Sequence, residues 1–104
     1  MLTDWVTFSA ASNFATEVEQ STDAIFAGEP MGGGLNFWND VDFIPLPDFV
    51  VPMRVAVSTR YWEKSTPVDP RLTIEPNLAM PVRAADYFAG HDPLLDAVLA
   101  GDAG

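Results

Sequence analysis

The sequence predicts a mixed α/β domain, and three observations support that prediction. Apolar residues recur at helical spacing from Ala10 to Val18, with a short apolar run on either side. Apolar and polar residues alternate from Met53 to Trp62, which is the pattern of a half-buried strand. Nine prolines and seven glycines among 104 residues favour a strand- and loop-rich body over a helical bundle. This length suffices for one small domain.

The composition excludes several classes of function. Fifteen acidic residues against five basic ones give a net charge of −10, and because phosphate backbones repel such a chain, nucleic acid is not an expected partner. The chain has no cysteine, which excludes disulfides, thiolate metal sites and cysteine catalysis. No apolar run reaches the ~20 residues of a membrane span, and the first residues lack the pattern of a signal peptide.

The first predicted helix begins directly after Ser9. Its apolar face includes Phe14, Ala15 and Val18. The preceding residues 6–8 favour extended structure, which places Ser9 at a strand-to-helix junction. Backbone N–H groups that a helix leaves unpaired at its start stabilise negative charge, as an attacking alkoxide or a tetrahedral oxyanion requires.

Two roles are open for Ser9 at this junction. Serine is a favoured N-cap, and that role alone explains a serine here. The alternative is a nucleophile held at the positive end of the helix. Ser12 stands where a capping box needs glutamate or glutamine, so that motif is absent and does not decide between the two roles.

A strand and a glycine-rich loop follow the helix. Residues 24–27 form a short apolar run closed by Gly28, and the order strand, helix, strand indicates a parallel crossover unit. Gly32, Gly33 and Gly34 come next. A loop of glycines can cradle phosphate, but this one has neither the lysine nor the hydroxyl of a nucleotide-binding loop. A flexible turn is the default interpretation, and the wall of a substrate cleft is the alternative.

Residues 36–62 predict an antiparallel hairpin across a proline-containing connection. In its first strand Asp40 and Asp42 would share one face, where two carboxylates can bind a cation or act as an acid/base pair. More often such a pair belongs to a solvated strand face. No further ligands surround the two aspartates in the sequence, so no metal site is predicted.

The remaining residues predict an extended arm and two short helices. The arm, residues 63–82, contains four prolines and a short strand near residues 72–74. One helix covers residues 83–89, and the last begins at Asp92 and ends at Gly101. The expected buried stripe of that last helix consists of Leu94, Leu95, Val98 and Leu99.

Histidine and lysine each occur once in the chain. His91 is the only histidine and would suit a general base, but its place in a loop before a capping aspartate favours a solvated residue. Lys64 is the only lysine and follows the second hairpin strand. Its position there is interpreted as a surface position.

Three stretches together resemble the tail-specific, or C-terminal-processing, serine peptidases, above all their divergent bacterial relatives. They read TFSAASNFATEVEQSTDAIFAGEPMGGGLNFWND, RVAVSTRYW and ADYFAGHDPLLDAVLAG. The resemblance implies an α/β fold with a partial crotonase-like core, a β-rich C-terminal arm and short terminal helices. It implies one partial domain over residues 1–104, made of a strand–helix–strand unit 1–35, a β-hairpin 36–62, an arm 63–82 and terminal helices 83–101.

The resemblance also implies an activity and its residues. The family hydrolyses peptide bonds in peptide or protein substrates with a serine and without a metal or cofactor. Ser9 matches the family's nucleophile, and the backbone N–H of Ala10 matches one oxyanion donor. The family's general base is a lysine in the following loop, and Gly34 stands at that place. This chain by itself is therefore expected to be inactive.

The alternative function is a non-catalytic binding or structural module. A degenerate relative could keep the fold and a hydrophobic cleft near Gly32, Gly33 and Gly34, and bind without catalysis. The retinoid-binding protein of the eye resembles the same peptidase group and gives a precedent. A small acidic interaction domain without peptidase ancestry is a third reading, and the three matching stretches argue against it.

The first residues look like the tail of a strand that began earlier. This predicts a piece of a longer protein. Its compartment is left open, with a periplasmic or secreted location as one option. A half-domain exposes the strand edge that its other half would cover, and two copies could pair through that edge.

Overall fold

The computed structural model of the protein describes residues 1–47 and 50–101. Its elements in chain order are β1 (Leu2–Thr3), α1 (Ala10–Ser21), β2 (Ala27–Gly28), β3 (Asn36–Pro45), β4 (Arg54–Glu63), β5 (Leu78–Ala79), α2 (Ala84–Ala89) and α3 (Pro93–Ala100). The chain is thus mixed α/β with small sheets and short helices, which confirms the predicted fold class at that level. None of the helices in the described residues has the length and apolar character that crossing a membrane needs.

A small parallel sheet joins distant parts of the chain. β2 lies between β1 and β5, and both pairings are parallel. α1 connects β1 to β2 and forms the crossover that two parallel neighbours need. The Asn77 side chain lengthens the β2–β5 contact, because its Oδ1 accepts from the Phe26 N–H at 2.9 Å.

The hydrophobic core lies where α1, the residues around β2 and the arm meet. Its buried apolar side chains are Ala15, Phe26, Met31, Leu35 and Ile74, with Val18 packed against them. The core is small: few apolar residues are buried, and many large apolar side chains are exposed.

The buried face of α1 carries hydroxyls as well as apolar groups. Ser12 and Thr16 are 2% and 1% exposed. Thr16 Oγ1 donates to the Ser12 carbonyl at 2.9 Å, one turn back along the helix. Ser12 Oγ likewise donates to the Ser9 carbonyl, so each of these two buried hydroxyls has an acceptor one turn back.

β3 and β4 form a long antiparallel hairpin. Asn36 pairs with Glu63 at one end and Pro45 with Arg54 at the other. Most of the side chains on both strands are exposed, so the hairpin extends from the body instead of covering it. Asp40 interrupts the regular backbone with a φ of 54° and forms an ion pair with Arg60 at 3.0 Å.

The Asn36 side chain holds the two strands together at the base of this hairpin. Its Oδ1 accepts from the backbone N–H of Lys64 at 3.0 Å and of Ser65 at 3.1 Å. Its Nδ2 donates to the Thr66 carbonyl at 2.8 Å. One amide therefore holds the first residue of β3 against the chain that leaves β4.

The arm returns to α1 through one arginine. Arg71 binds Glu19 on α1 at 2.8 Å and Asp69 in the arm at 2.8 Å. The hydrogen bond from Arg71, and then that from Ser65, hold the pKa of Asp69 well below its ordinary range. The carboxylate therefore stays ionised and keeps the arm in place.

The two C-terminal helices end as their sequences predict. Gly90 and Gly101 cap α2 and α3 in the left-handed conformation. Asp92 Oδ1 accepts from the Leu95 N–H at 2.9 Å, and Pro93 occupies the first turn of α3. These are local effects of residue type, which explains why they could be read from the sequence.

Three sequence-based expectations about secondary structure were wrong. Residues 6–8 are not a strand, because Asp4 Oδ1 accepts from the Val6 and Thr7 N–H groups, both at 2.9 Å, and turns the chain. The short strand of the arm is Leu78–Ala79, not residues 72–74. The stripe on α3 is not buried, since Leu95 and Leu99 are 40% and 76% exposed.

Replacing Gly28 by alanine tests the contact between β1 and β2. A Cβ at Gly28 would overlap the Thr3 carbonyl oxygen, and its φ of +123° disfavours any side chain. We expect Gly28→Ala to lower the free energy of unfolding by about 2–4 kcal/mol in urea titrations. The matched control is Gly90→Ala, where φ is +67° and nothing lies near the added Cβ, and it should lose only about 1 kcal/mol. Equal losses in the two variants would show that the close approach of the strands is unimportant.

Candidate active site

Ser9 opens into a cavity of about 480 Å³. The cavity lies between the start of α1, the glycine loop and the base of the β3–β4 hairpin. It is lined by Phe8, Ser9, Ser12, Asn13, Gly33, Gly34, Phe37, Trp38, Asn39, Asp40, Trp62 and Lys64. Its size lies within the range of small-molecule and substrate pockets in proteins.

The Ser9 backbone has an unfavourable conformation. Its φ is 56° and its ψ is −120°, which L-residues with a Cβ avoid. Among the described residues the only other non-glycine residue with positive φ is Asp40, and it lines the same cavity. Such strain costs of order 1–3 kcal/mol for each residue and is concentrated at functional sites in proteins.

Two hydrogen bonds to one carbonyl hold Ser9 in this conformation. The Ser9 oxygen accepts from Ser12 Oγ at 2.8 Å and from the Asn13 N–H at 3.0 Å. Gly33 packs directly on Ser12, where any side chain would overlap the Ser12 Oγ and Cβ. The close contact with Gly33 therefore restricts the Ser12 hydroxyl to a position next to the Ser9 carbonyl.

The Ser9 hydroxyl does not cap the helix. Ser9 occupies the N-cap position, but its side chain makes no capping hydrogen bond and the residue is exposed. The capping interpretation of this serine is therefore wrong, because its side chain makes no capping hydrogen bond to α1. A hydroxyl in this place can instead meet a ligand in the cavity.

The Ala10 N–H lies at the positive end of α1. In the described part of the chain this N–H has no hydrogen-bond partner, whereas the Ala11 N–H donates to the Phe8 carbonyl at 3.1 Å. A free N–H next to the serine can stabilise negative charge on a ligand oxygen. The resemblance assigned this role to Ala10, and the geometry leaves the group available for it.

The three glycines of the loop have different surroundings. Gly33 and Gly34 line the cavity with Ser9. Gly32 lies against the Trp5 backbone, where an added Cβ would overlap the Trp5 carbonyl oxygen, and it is not among the cavity-lining residues. The loop thus supplies one wall of the cavity through two glycines, while the third fixes it to the residues before α1.

Lys64 lines the same cavity, which sequence reasoning missed. It was interpreted as a surface residue, but it is half-buried and its Nζ lies 5.3 Å from the centre of the Trp62 ring. The ring attracts the ammonium group and limits where it can lie. Lys64 and Ser9 are far apart in the sequence, so no local sequence pattern predicts that they share a cavity.

The Asn13 side chain lines the cavity, but its amide oxygen is not accessible to solvent. The Oδ1 of Asn13 is buried and has no hydrogen-bond partner among the described residues. Leaving such an acceptor unsatisfied costs about 1–3 kcal/mol. Asn13 is one helical turn after Ser9, so a donor that reached this oxygen would lie beside the serine.

The paired aspartates of β3 do not form a metal site. Asp40 lines the cavity and is engaged by Arg60, while Asp42 is exposed. Within residues 1–47 and 50–101 no group of three or more histidine, cysteine, aspartate or glutamate side chains could hold a metal ion.

His91 lies in a different cleft. That cleft is also about 480 Å³ and is lined by Thr3, Glu29 and the α2–α3 connection. The Nδ1 and Nε2 of His91 lie 3.5 Å from Asp86 and 3.0 Å from Asp96. The Asp86 carboxylate, and next that of Asp96, raise the pKa of His91 above its ordinary value. The residue joins α2 to α3 and does not line the Ser9 cavity.

Comparison with known proteins gives no assignment, since no protein-family model, curated protein or solved structure matches the chain.

Alanine at Gly33 tests whether the glycine loop holds Ser12 beneath Ser9. Gly33→Ala should displace Ser12 and lower the free energy of unfolding by about 1–3 kcal/mol in urea titrations, because the added Cβ overlaps the buried hydroxyl. Gly34→Ala is the control, since the nearest atom to its added Cβ is 3.4 Å away. Equal stability of the two variants would mean that Ser12 moves freely.

The pH dependence of the α2–α3 connection follows from His91. Because its folded-state pKa is raised, the stability that His91 contributes is present in full below about pH 6.5 and is lost as the pH rises through the folded-state pKa. We expect the imidazole proton resonances to titrate above the ordinary value, and Asp86→Asn or Asp96→Asn to lower that midpoint. An unchanged midpoint in both variants would contradict the ion pairs.

Proposed function

We propose that Ser9 is the nucleophile of a serine-type peptidase site that hydrolyses peptide bonds. The observation that supports this most is the backbone of Ser9, which is strained, fixed by two hydrogen bonds to its carbonyl and exposed to a cavity. A serine that served only as a helix cap would gain a hydrogen bond from its side chain and need no strain. Here the strain presents the hydroxyl to a ligand.

The proposed reaction uses groups already present around the serine. Ser9 Oγ attacks the carbonyl carbon of the substrate and gives its proton to a base. The Ala10 N–H, at the positive end of α1, donates to the oxyanion of the tetrahedral intermediate. Collapse of the intermediate expels the amine, which takes up the proton, and water then hydrolyses the acyl–serine ester.

Lys64 is the amine that fits the role of base. It shares the cavity with Ser9 and its Nζ is held near the Trp62 ring. The ammonium over the Trp62 ring has no lone pair, so Lys64 takes the serine proton only after it has released its own, and glycine at position 34 cannot fill this role at all. Lys64 belongs to the end of β4, so its approach to Ser9 depends on where the hairpin stands relative to α1.

The cavity suits a polypeptide substrate. Its aromatic lining, from Phe8, Phe37, Trp38 and Trp62, can hold an apolar side chain of the substrate. The unpaired Oδ1 of Asn13 lies in reach of a backbone N–H donor if the amide turns toward the cavity. Apolar contact and backbone hydrogen bonding together are the usual means by which peptides are bound.

The tail-specific peptidase family and its crotonase-like core remain part of this proposal. The support is the strand–helix–strand crossover that leads past Ser9, with β1 and β2 parallel. Two copies could pair through the outer edges of β1 or β5, although strands of two residues offer few hydrogen bonds.

A non-catalytic binding module is the second candidate. One observation favours it: the Ser9 hydroxyl forms no hydrogen bond with any described residue, so no base is engaged with it in this structure. The same aromatic cavity would then hold an apolar ligand without reaction. Ligand binding would change the fluorescence of Trp38 and Trp62 while leaving Ser9 unmodified.

A fluorophosphonate probe distinguishes the two functions. The probe should label Ser9 stoichiometrically, because labelling requires only one attack by an activated hydroxyl. Mass spectrometry of the peptides would locate the adduct. Ser9→Ala should abolish labelling, and Lys64→Met should slow it at least about tenfold. Ser21→Ala, at the exposed far end of α1, is the matched control and should label normally.

We expect no steady turnover of casein by the 104-residue chain, since the resemblance supplies neither a base in the loop nor a second oxyanion donor. Labelling at another serine, or none at any pH, would refute the peptidase proposal and leave the binding module.

A further inference from the structure

The chain exposes more surface than a self-sufficient monomer of its size. Its accessible surface is 7554 Å², whereas a folded monomer of 11.3 kDa has about 5,700 Å². Its radius of gyration is 18.4 Å, against about 13 Å for a compact domain of this length. An excess of about 1,800 Å² is left for a partner to cover.

The β3–β4 hairpin contributes to this exposed surface. Its strands each have ten residues, and the apolar side chains Val41, Phe43, Ile44, Val55 and Val57 are between 41% and 58% exposed. A two-stranded hairpin in water is marginally stable unless another element covers it. The hairpin is therefore an element that another surface is needed to cover.

Both faces of the hairpin are apolar toward its tip. Directly opposite residues point to the same side, so the pair Ile44 and Val55 lies on one face and the pair Phe43 and Ala56 on the other. A partner that covers only one face would leave the second exposed. The geometry requires a partner that receives the hairpin between two surfaces or receives two hairpins at once.

We propose that a second copy of this chain covers the hairpin in a symmetric dimer, in which each copy gives its hairpin to the other. The excess of about 1,800 Å² on each copy matches an obligate homodimer, whose interfaces bury roughly 2,000–5,000 Å² in total. The contact is separate from the edges of β1 and β5, and it does not depend on peptidase activity at Ser9.

The distribution of charge favours a second copy as the occupant. Three of the five basic residues, Arg54, Arg60 and Lys64, lie on β4 or directly after it. The hairpin segment, residues 36–64, also carries four acidic residues and is close to neutral, whereas the rest of the chain carries two basic and eleven acidic residues. Contact between two copies through their hairpins therefore brings less like charge together than contact between their acidic bodies.

The dimer contact would also reach the Ser9 cavity. Trp38 and Trp62, at the base of the hairpin, line that cavity and Trp38 is 64% exposed. A second copy seated along the hairpin would close the open side of the cavity. The same contact would thus exclude water from Ser9 in the assembled dimer.

Sedimentation velocity over a range of concentrations tests this contact. We expect the chain to be a dimer at micromolar concentration, and Phe43→Asp to weaken association at least about tenfold, since aromatic residues at the centre of an interface dominate its energy. Leu99→Asp is the matched control, because Leu99 is 76% exposed on α3, and it should leave association unchanged. Circular dichroism confirms that both variants keep their secondary structure.

Cross-linking locates the surface independently of stability. The chain has no cysteine, so Phe43→Cys and Leu99→Cys variants can each carry one benzophenone maleimide. Covalent dimers should form after illumination at position 43 and not at position 99. A monomer at all concentrations, or dimers that cross-link from Leu2→Cys on β1 and not from position 43, would overturn the proposal. Probe labelling at Ser9 is a separate measurement, so failure of the dimer proposal can be told apart from failure of the peptidase proposal.

Discussion

The Ser9 carbonyl is the point on which the candidate site depends. It accepts from Ser12 Oγ and from the Asn13 N–H, and those two bonds hold the serine in backbone angles that it would otherwise leave. Ser12 can donate because it is buried under Gly33, where no side chain fits. One arrangement therefore includes three features: the backbone strain of Ser9, the glycine at position 33 and the buried hydroxyl of Ser12.

The rest of the molecule is built loosely around that arrangement. A core of a few side chains and strands of two residues anchor α1, while ion pairs of Arg71 tie the arm to the helix. The long hairpin and the C-terminal helices contribute little buried surface. The buried contacts are thus concentrated around α1, which begins directly after Ser9. The cavity wall formed by the hairpin depends on contacts outside the core.

The sequence predicted what local chemistry decides. The caps of α3 at Asp92 and Gly101, the helix after Ser9 and the mixed α/β class follow from residue types and spacing. The turn at Asp4 was missed because a side-chain acceptor there outweighs the extended preference of the next residues. The φ of Ser9 and the presence of Lys64 in its cavity depend on contacts between distant segments, which periodicity does not contain. Alternation also predicts strands without showing whether anything covers them.

The amide of Asn36 has a mechanical consequence. It binds the backbone N–H groups of Lys64 and Ser65 and also the Thr66 carbonyl. These bonds hold the start of β3 and the chain that leaves β4 together at the base of the hairpin. The same amide therefore ties the backbone of Lys64, whose side chain lines the Ser9 cavity, to the first residue of β3.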